Sequence, residues 1–168
     1  MTGIVGGLVA GAAGTAALNV LTYLDMALRG RPESSVPAQV VEELTKRAGV
    51  ALDRQQGRAP DKTENRKQAF GALSGYVVGL GIGALYGVSR AWLPRPSISL
   101  AGPALGLAAM AASDVPATTL GATNPKEWTA SGWLSDLVPH LAYGLIAAST
   151  YEWIDAAASG PVRGRSAA

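Results

Sequence analysis

Long apolar stretches alternate with polar segments along this chain. Four stretches are long enough for a membrane-spanning helix, which needs about 20 predominantly apolar residues. They cover residues 4–26, 69–92, 98–120 and 134–154. The pattern predicts an all-α, polytopic membrane protein with a four-helix transmembrane bundle. Residues 1–155 would form this single membrane domain, and residues 156–168 a flexible tail.

One long polar segment, residues 29–67, separates the first two predicted spans. Within it, residues 37–48 have the periodicity of an amphipathic helix, and Ser35 is placed to cap it. This surface helix would lie on the membrane or dock on another subunit. Residues 51–66 read as an exposed loop. The apolar stripe of the helix comprises Val40, Val41, Leu44 and Ala48.

Glycine recurs at every fourth position in the second span, inside a run without charged residues from Gln68 to Ser89. Small residues at this spacing let helix backbones approach closely in a membrane. Each step of four residues turns roughly 40° around the helix, so one neighbour cannot contact them all. We predict packing within the chain against Gly3, Gly7 and Gly11, with oligomerisation as the alternative. The predicted packing residues are Gly7, Gly11, Gly71, Gly75, Gly79, Gly83 and Gly87.

The distribution of basic residues predicts an orientation. Of the 14 Lys and Arg residues, ten lie in the first and third loops and four in the second loop and tail. The positive-inside rule then places the first and third loops in the cytoplasm and both termini outside. No Lys or Arg precedes Arg29, so residues 1–26 are predicted to be a retained span and not a signal peptide. Four tryptophans near span ends fit an interfacial belt: Trp92, Trp128, Trp133 and Trp153.

A few polar side chains fall inside the predicted spans, where ionisable groups are costly and often functional. In this orientation Asn19, Asp114, Asp136 and His140 all lie in the cytoplasmic half. Asp136 and His140 are one helical turn apart, and histidine titrates near neutral pH. The sequence therefore predicts a proton- or cation-responsive cluster built by three helices, with a proton shared among the two aspartates and the histidine.

A structural interpretation of the same residues remains open. Asp114 precedes Pro116 and Asp136 precedes Pro139, and an aspartate ahead of a proline-containing first turn is a common helix N-cap. His140 would then be a hydrogen-bonded structural histidine. Asp25, near Arg29, would only mark the end of the first span.

An internal repeat is visible in the small residues. Residues 7–20 match residues 102–115 as Gly-x3-Gly-x7-Asn/Asp-Val. Tyr86-Gly87 matches Tyr143-Gly144, which pairs Gly83 with His140. Two hairpins in the same orientation would form a parallel repeat about an axis normal to the membrane.

Other chemistry is not indicated. The net charge of +2 arises from interspersed acids and bases, which gives no sign of nucleic-acid binding. The chain has no cysteine, which excludes thiolate metal sites and disulfides. A single histidine cannot supply a bis-histidine haem, and no phosphate-binding or dinucleotide motif occurs. We expect no cofactor, no metal and no enzymatic activity.

The segment Trp133–Gly144, Trp-Leu-Ser-Asp-Leu-Val-Pro-His-Leu-Ala-Tyr-Gly, follows a small-residue span that carries Asp114-Val-Pro116. Together they resemble the YagU-like family of small bacterial inner-membrane proteins, although the long charged first loop departs from that family. The resemblance implies a helical inner-membrane protein associated with acid tolerance, and it supplies no catalytic residues.

These observations predict a multi-pass protein of the bacterial cytoplasmic membrane whose polar cluster serves a small channel or transporter. An accessory or scaffold subunit that packs against a larger membrane complex is the alternative, and an intramembrane enzyme ranks third. The expected partners are the lipid bilayer and either a second copy or another membrane protein.

Overall fold

The computed structural model describes residues 2–50, 52 and 60–159, and the elements formed by these residues are all helical, without a strand. This confirms the all-α prediction. The 3-10 turn Pro125–Glu127 precedes the last helix. The α-helices are α1 (Thr2–Arg29), α2 (Val36–Arg47), α3 (Pro60–Ser89), α4 (Ile98–Thr119) and α5 (Ala130–Ser159).

Two helices extend beyond the predicted spans. α3 begins at Pro60, so residues 60–66 are helical and the prediction of a loop there is wrong. Hydropathy marks the apolar part of a helix and not its end, and proline at the first helical position starts this one. α5 continues to Ser159, into the segment predicted to be the tail. Residues 51 and 53–59 of the predicted loop and residues 160–168 of the tail lie outside the described residues.

Among the described residues, three helices are long and apolar enough to cross a membrane. They contain the segments Gly3–Arg29, Lys62–Ser89 and Ile98–Thr119. α5 has 30 residues but is not among them, because polar residues interrupt its apolar sequence. The structure is therefore compatible with a membrane protein, and three of the four predicted spans correspond to helices that could cross a membrane.

The four long helices alternate in direction. α1 packs against α3 and α5, α4 packs against α5, and α3 and α4 contact each other much less. One side of the bundle carries α2 and is called the first-loop side. The opposite side carries residues 90–97 and is called the second-loop side. The start of α1 and the end of α5 both lie on the second-loop side, since α1 is antiparallel to α3 and to α5.

Glycines bring α1 and α3 into backbone contact. A Cβ added to Gly11 would lie 2.5 Å from the Gly79 carbonyl oxygen, closer than real Cβ atoms approach. A Cβ added to Gly7 would lie still closer to the Gly83 carbonyl oxygen, and a Cβ added to Gly87 would lie still closer to the Gly3 carbonyl oxygen. The structure thus places the α1 glycines against the later glycines of α3.

The two earlier predicted packing positions of α3 behave differently. Gly71 contacts α2, where an added Cβ would lie 2.9 Å from the Pro37 carbonyl carbon. Gly75 has no heavy atom of the described chain within 4 Å of an added Cβ, and neither has Gly81. The prediction that Gly75 packs within the chain is therefore wrong. The line of glycines winds around α3, and at Gly75 it faces neither α1 nor α2.

The hairpin α4–α5 repeats the geometry of α1–α3. A Cβ on Gly106 would lie 2.6 Å from the His140 carbonyl oxygen and 3.0 Å from Leu141 Cα. The corresponding distances from Gly11, to Gly79 and Leu80, are 2.5 Å and 3.1 Å. α1 and α4 therefore match at the predicted offset.

The match between α3 and α5 differs from the prediction by one helical turn. Gly83 contacts Gly7 and Gly11 as Gly144 contacts Gly102 and Gly106. Gly83 thus corresponds to Gly144 and not to His140. The Tyr-Gly pairs that suggested the other register occupy different turns of the two hairpins.

α2 docks on α3 of the same chain. Its buried residues are Ala38 and Val41, whereas Leu44 is 51% exposed. The predicted apolar stripe is therefore only partly correct, and α2 has a docking site within the chain that the sequence did not predict. Ser35 makes no capping hydrogen bond, because its backbone is already helical. The Ser34 hydroxyl instead accepts from the Val36 N–H at 3.3 Å.

We expect α2 to loosen from α3 in acid. Glu42 accepts from Lys67 at 2.8 Å and pairs with Lys46 at 2.9 Å, and these ammonium groups lower its pKa from 4.5 to about 2. A lowered pKa in the folded state stabilises docking above pH 4.5, and this stabilisation is lost as pH falls toward 2. Mobility of a spin label at an Ala48→Cys site should rise in that window. Glu42→Gln should abolish the transition, and identical pH profiles for both proteins would contradict the assignment.

Candidate functional site

α4 and α5 place Asp114 and Asp136 inside helices and not at helix ends. α4 runs unbroken through Asp114 and Pro116 to Thr119. α5 begins at Ala130, and the Thr129 hydroxyl accepts from the Gly132 N–H at 3.1 Å. Thr129 thus occupies the capping position, and Asp136 lies nearly two turns further on. Both capping interpretations are wrong, because the prolines are accommodated within continuous helices.

Asp114 on α4 and Asp136 on α5 lie near enough for their charges to influence each other, and these two residues are called the acid pair. Asp136 Oδ2 is buried and has no hydrogen-bond partner among the described residues. His140 Nδ1 lies 3.4 Å from Asp136 Oδ1. Nδ1 also lies 2.8 Å from the Asp136 carbonyl oxygen, which can only accept, so this ring nitrogen carries a proton.

Close packing of the two backbones explains why these two residues lie near each other. Gly106 allows α4 to approach the His140 carbonyl directly, as its contact distances show. Asp114 lies eight residues after Gly106, and Asp136 lies four residues before His140 in the antiparallel helix. Both aspartates therefore lie within about two turns of the tightest contact between α4 and α5.

Arg29 and Arg31, at and just after the end of α1, pair with Asp25 and not with the acid pair. Arg29 Nε lies 2.6 Å from Asp25, and Arg31 Nε lies 2.5 Å from the same carboxylate. Arg29 also donates to the Ser135 hydroxyl on α5. Within residues 2–50, 52 and 60–159 no Lys or Arg forms a salt bridge with the acid pair, and His140 is the titratable base that lies beside Asp136.

Asn19 hydrogen-bonds outside the acid pair. Its amide donates to the Tyr76 hydroxyl at 3.4 Å, between α1 and α3. The predicted polar cluster of three helices is thus reduced to Asp114, Asp136 and His140 on two helices. By the repeat, Asn19 occupies in the first hairpin the position that Asp114 occupies in the second.

No group of three or more histidine, cysteine, aspartate or glutamate side chains that could hold a metal ion occurs in the described part of the chain.

Sequence reasoning missed a second buried charged group. Arg90 lies just after α3 and pairs with Glu152 of α5 at 2.8 Å, beside Tyr86 and Tyr151. The sequence offered one indication of this pair, namely a basic residue at the end of one apolar stretch and an acidic residue near the end of another. Only the fold shows that these two ends meet.

No protein-family model matches this chain, and neither a curated protein nor a solved structure matches it.

Proposed function

We propose that this chain is a four-span protein of the bacterial inner membrane whose acid pair binds and releases a proton in a small channel or transporter. α1, α3 and α4 have the length and apolar composition of spans. The proposal adds α5 as the fourth. The resemblance to the YagU-like family agrees with it and stays a prediction.

The packing of α5 supports its assignment as a span. It contacts both α1 and α4, and its side chains Tyr143, Ala147 and Ala148 are at most 1% exposed. A helix surrounded by other helices can carry polar residues that a lipid-facing helix cannot. This explains why hydropathy alone does not select α5.

The observation that carries the proposal is the closeness of two carboxyls without a salt bridge to any described Lys or Arg residue. Two ionised carboxylates close together repel each other, so a proton bound by one of them relieves the repulsion. The unpartnered Asp136 Oδ2 is an acceptor for that proton. His140 lies beside it and belongs to the residue type that exchanges protons near neutral pH.

The orientation remains as the basic residues predict it. The first-loop side, which also carries the acid pair, faces the cytoplasm and the termini lie outside. In this orientation the acid pair exchanges protons with the cytoplasm.

Asp114→Asn tests the proposal because it keeps the shape of the side chain and removes one titrating group. In wild-type protein reconstituted in liposomes, infrared spectra should contain the band of a protonated carboxyl at neutral pH, and a pH gradient should drive proton flux. Both signals should be lost in Asp114→Asn. Asp155→Asn, the same substitution at the far end of α5, should keep both. An Asp114→Asn protein that retains the band and the flux would exclude the acid pair.

A scaffold role is the second candidate, and the open surface of α3 favours it. Gly75 and Gly81 leave the α3 backbone accessible to a neighbouring helix. Wild-type liposomes without proton flux, together with a membrane protein that copurifies and is lost in Gly75→Leu, would favour this role.

A further inference from the structure

Arg90 is a buried cation at the second-loop side of the bundle. Its side chain is 5% exposed, and Nη2 donates to Glu152 Oε1 at 2.8 Å. Nη1 donates to the Pro94 carbonyl at 3.3 Å. The guanidinium therefore joins the end of α3 to the end of α5 and to the loop that follows α3.

Two tyrosines surround this ion pair. The rings of Tyr86 and Tyr151 meet edge to face with centroids 5.1 Å apart. Arg90 Cζ lies 5.7 Å from the Tyr86 centroid and 6.0 Å from the Tyr151 centroid, within the range of cation–π attraction. The four residues, Tyr86, Arg90, Tyr151 and Glu152, form one unit that is called the latch.

The latch is an inefficient way to add stability. Arg90 Nε and the Tyr86 hydroxyl are buried and have no hydrogen-bond partner among the described residues. A buried ion pair costs desolvation energy, and well-packed apolar residues often stabilise a fold equally well. In some proteins such pairs instead fix one specific arrangement of the elements that they join.

The position of the latch indicates what that arrangement achieves. Arg90 follows the hairpin α1–α3, and Glu152 belongs to the hairpin α4–α5. One turn further into the bundle Ala148 is fully buried, as is Ala10 on α1. The neighbouring pair of Arg95 and Asp155 is different in kind, because Arg95 is 69% exposed and such pairs contribute little.

We propose that the latch ties the two hairpins together and closes the second-loop end of the bundle to water. Opening the Arg90–Glu152 contact would separate the ends of α3 and α5 and admit water to the alanines beneath. This inference concerns closure of the bundle and does not depend on protonation of the acid pair.

Thiol reactivity tests the closure directly, because the chain has no cysteine of its own. Ala148→Cys in the full-length protein in nanodiscs should react slowly with a water-soluble maleimide. Adding Glu152→Gln should raise that rate by about tenfold or more, since loss of one partner leaves a buried charge unpaired. Adding Asp155→Asn instead should leave the rate unchanged. Equal rates in all three proteins would overturn the latch.

A second variant tests the same proposal if the Glu152→Gln protein does not fold. Arg90→Lys, added to Ala148→Cys, keeps the positive charge but replaces the planar fork and its stacking with a single ammonium. The rate of maleimide reaction at the introduced thiol should then rise by a smaller factor. A rate equal to that of the Ala148→Cys protein alone, with the same elution in size-exclusion chromatography, would overturn the proposal.

Discussion

Gly83→Ala is expected to destabilise the bundle, whereas Gly75→Ala, two turns away on the same helix, is expected to stabilise it slightly. A methyl group at Gly83 would overlap the Gly7 carbonyl oxygen and lie 2.6 Å from Gly11 Cα. Both neighbours are backbone atoms and cannot rotate away, so α1 and α3 must separate. Overpacking of this kind costs about 1–3 kcal/mol, and more where backbones must move.

The methyl group at Gly75 meets nothing within 4 Å. There the better helix propensity of alanine dominates and contributes up to about 1 kcal/mol. Unfolding of the purified proteins by increasing SDS, or by heat in a mild detergent, should move the two midpoints in opposite directions. Equal midpoints would mean that the close contact between α1 and α3 does not form in the folded protein.

Gly144→Ala extends the same test to the second hairpin. Its methyl group would overlap the Gly102 carbonyl and the Gly106 amide, as the Gly83 methyl would overlap Gly7 and Gly11. The two hairpins should therefore tolerate a methyl at these matched positions equally badly.

Sequence patterns predicted the features that depend on one helix at a time. The uncharged run from Gln68 to Ser89 identifies a helix apolar enough to cross a membrane, because length and composition alone decide that property. One contact between two helices was also predictable, because α1 and α3 both carry small residues at the spacing that lets backbones approach, and Gly7 and Gly11 do lie against α3.

Features that depend on two helices were only partly predictable. Asp136 and Glu152 lie near opposite ends of one predicted span, yet Asp136 lies near a second carboxyl and Glu152 pairs with a buried arginine. The local sequence around Asp136 favours a cap, and only the start of α5 at Ala130 rules that out. Likewise, Val41 and Leu44 share one stripe, and α3 covers only the first of them. The packing of the helices decides which neighbour a side chain contacts. The periodicity of a single helix carries no information about that packing.

Tyr143→Ala is expected to cost far more stability than Tyr143→Phe. Tyr143 is the largest fully buried side chain of the described residues and is 1% exposed. Its ring fills the space left by Gly14 of α1, where an added Cβ would lie 2.7 Å from Tyr143 Cδ2. Its hydroxyl donates to the Gly79 carbonyl of α3 at 2.7 Å, so one side chain joins three helices.

The two substitutions separate the ring from the hydroxyl. Alanine leaves a cavity where α1, α3 and α5 meet, and truncation of a buried aromatic ring costs about 3–5 kcal/mol. Phenylalanine keeps the ring and removes one hydrogen bond, which costs about 1 kcal/mol.

Unfolding in increasing SDS should rank the proteins as wild type, Tyr143→Phe and then Tyr143→Ala. Tyr23→Ala is the matched control, because Tyr23 is 57% exposed and should change little. Equal losses in Tyr143→Ala and Tyr143→Phe would assign the stability to the hydroxyl, whereas equal losses in Tyr143→Ala and Tyr23→Ala would contradict a core centred on Tyr143. The expected order follows because a missing ring removes contacts to two other helices at once, while a missing hydroxyl removes a single bond to a backbone carbonyl.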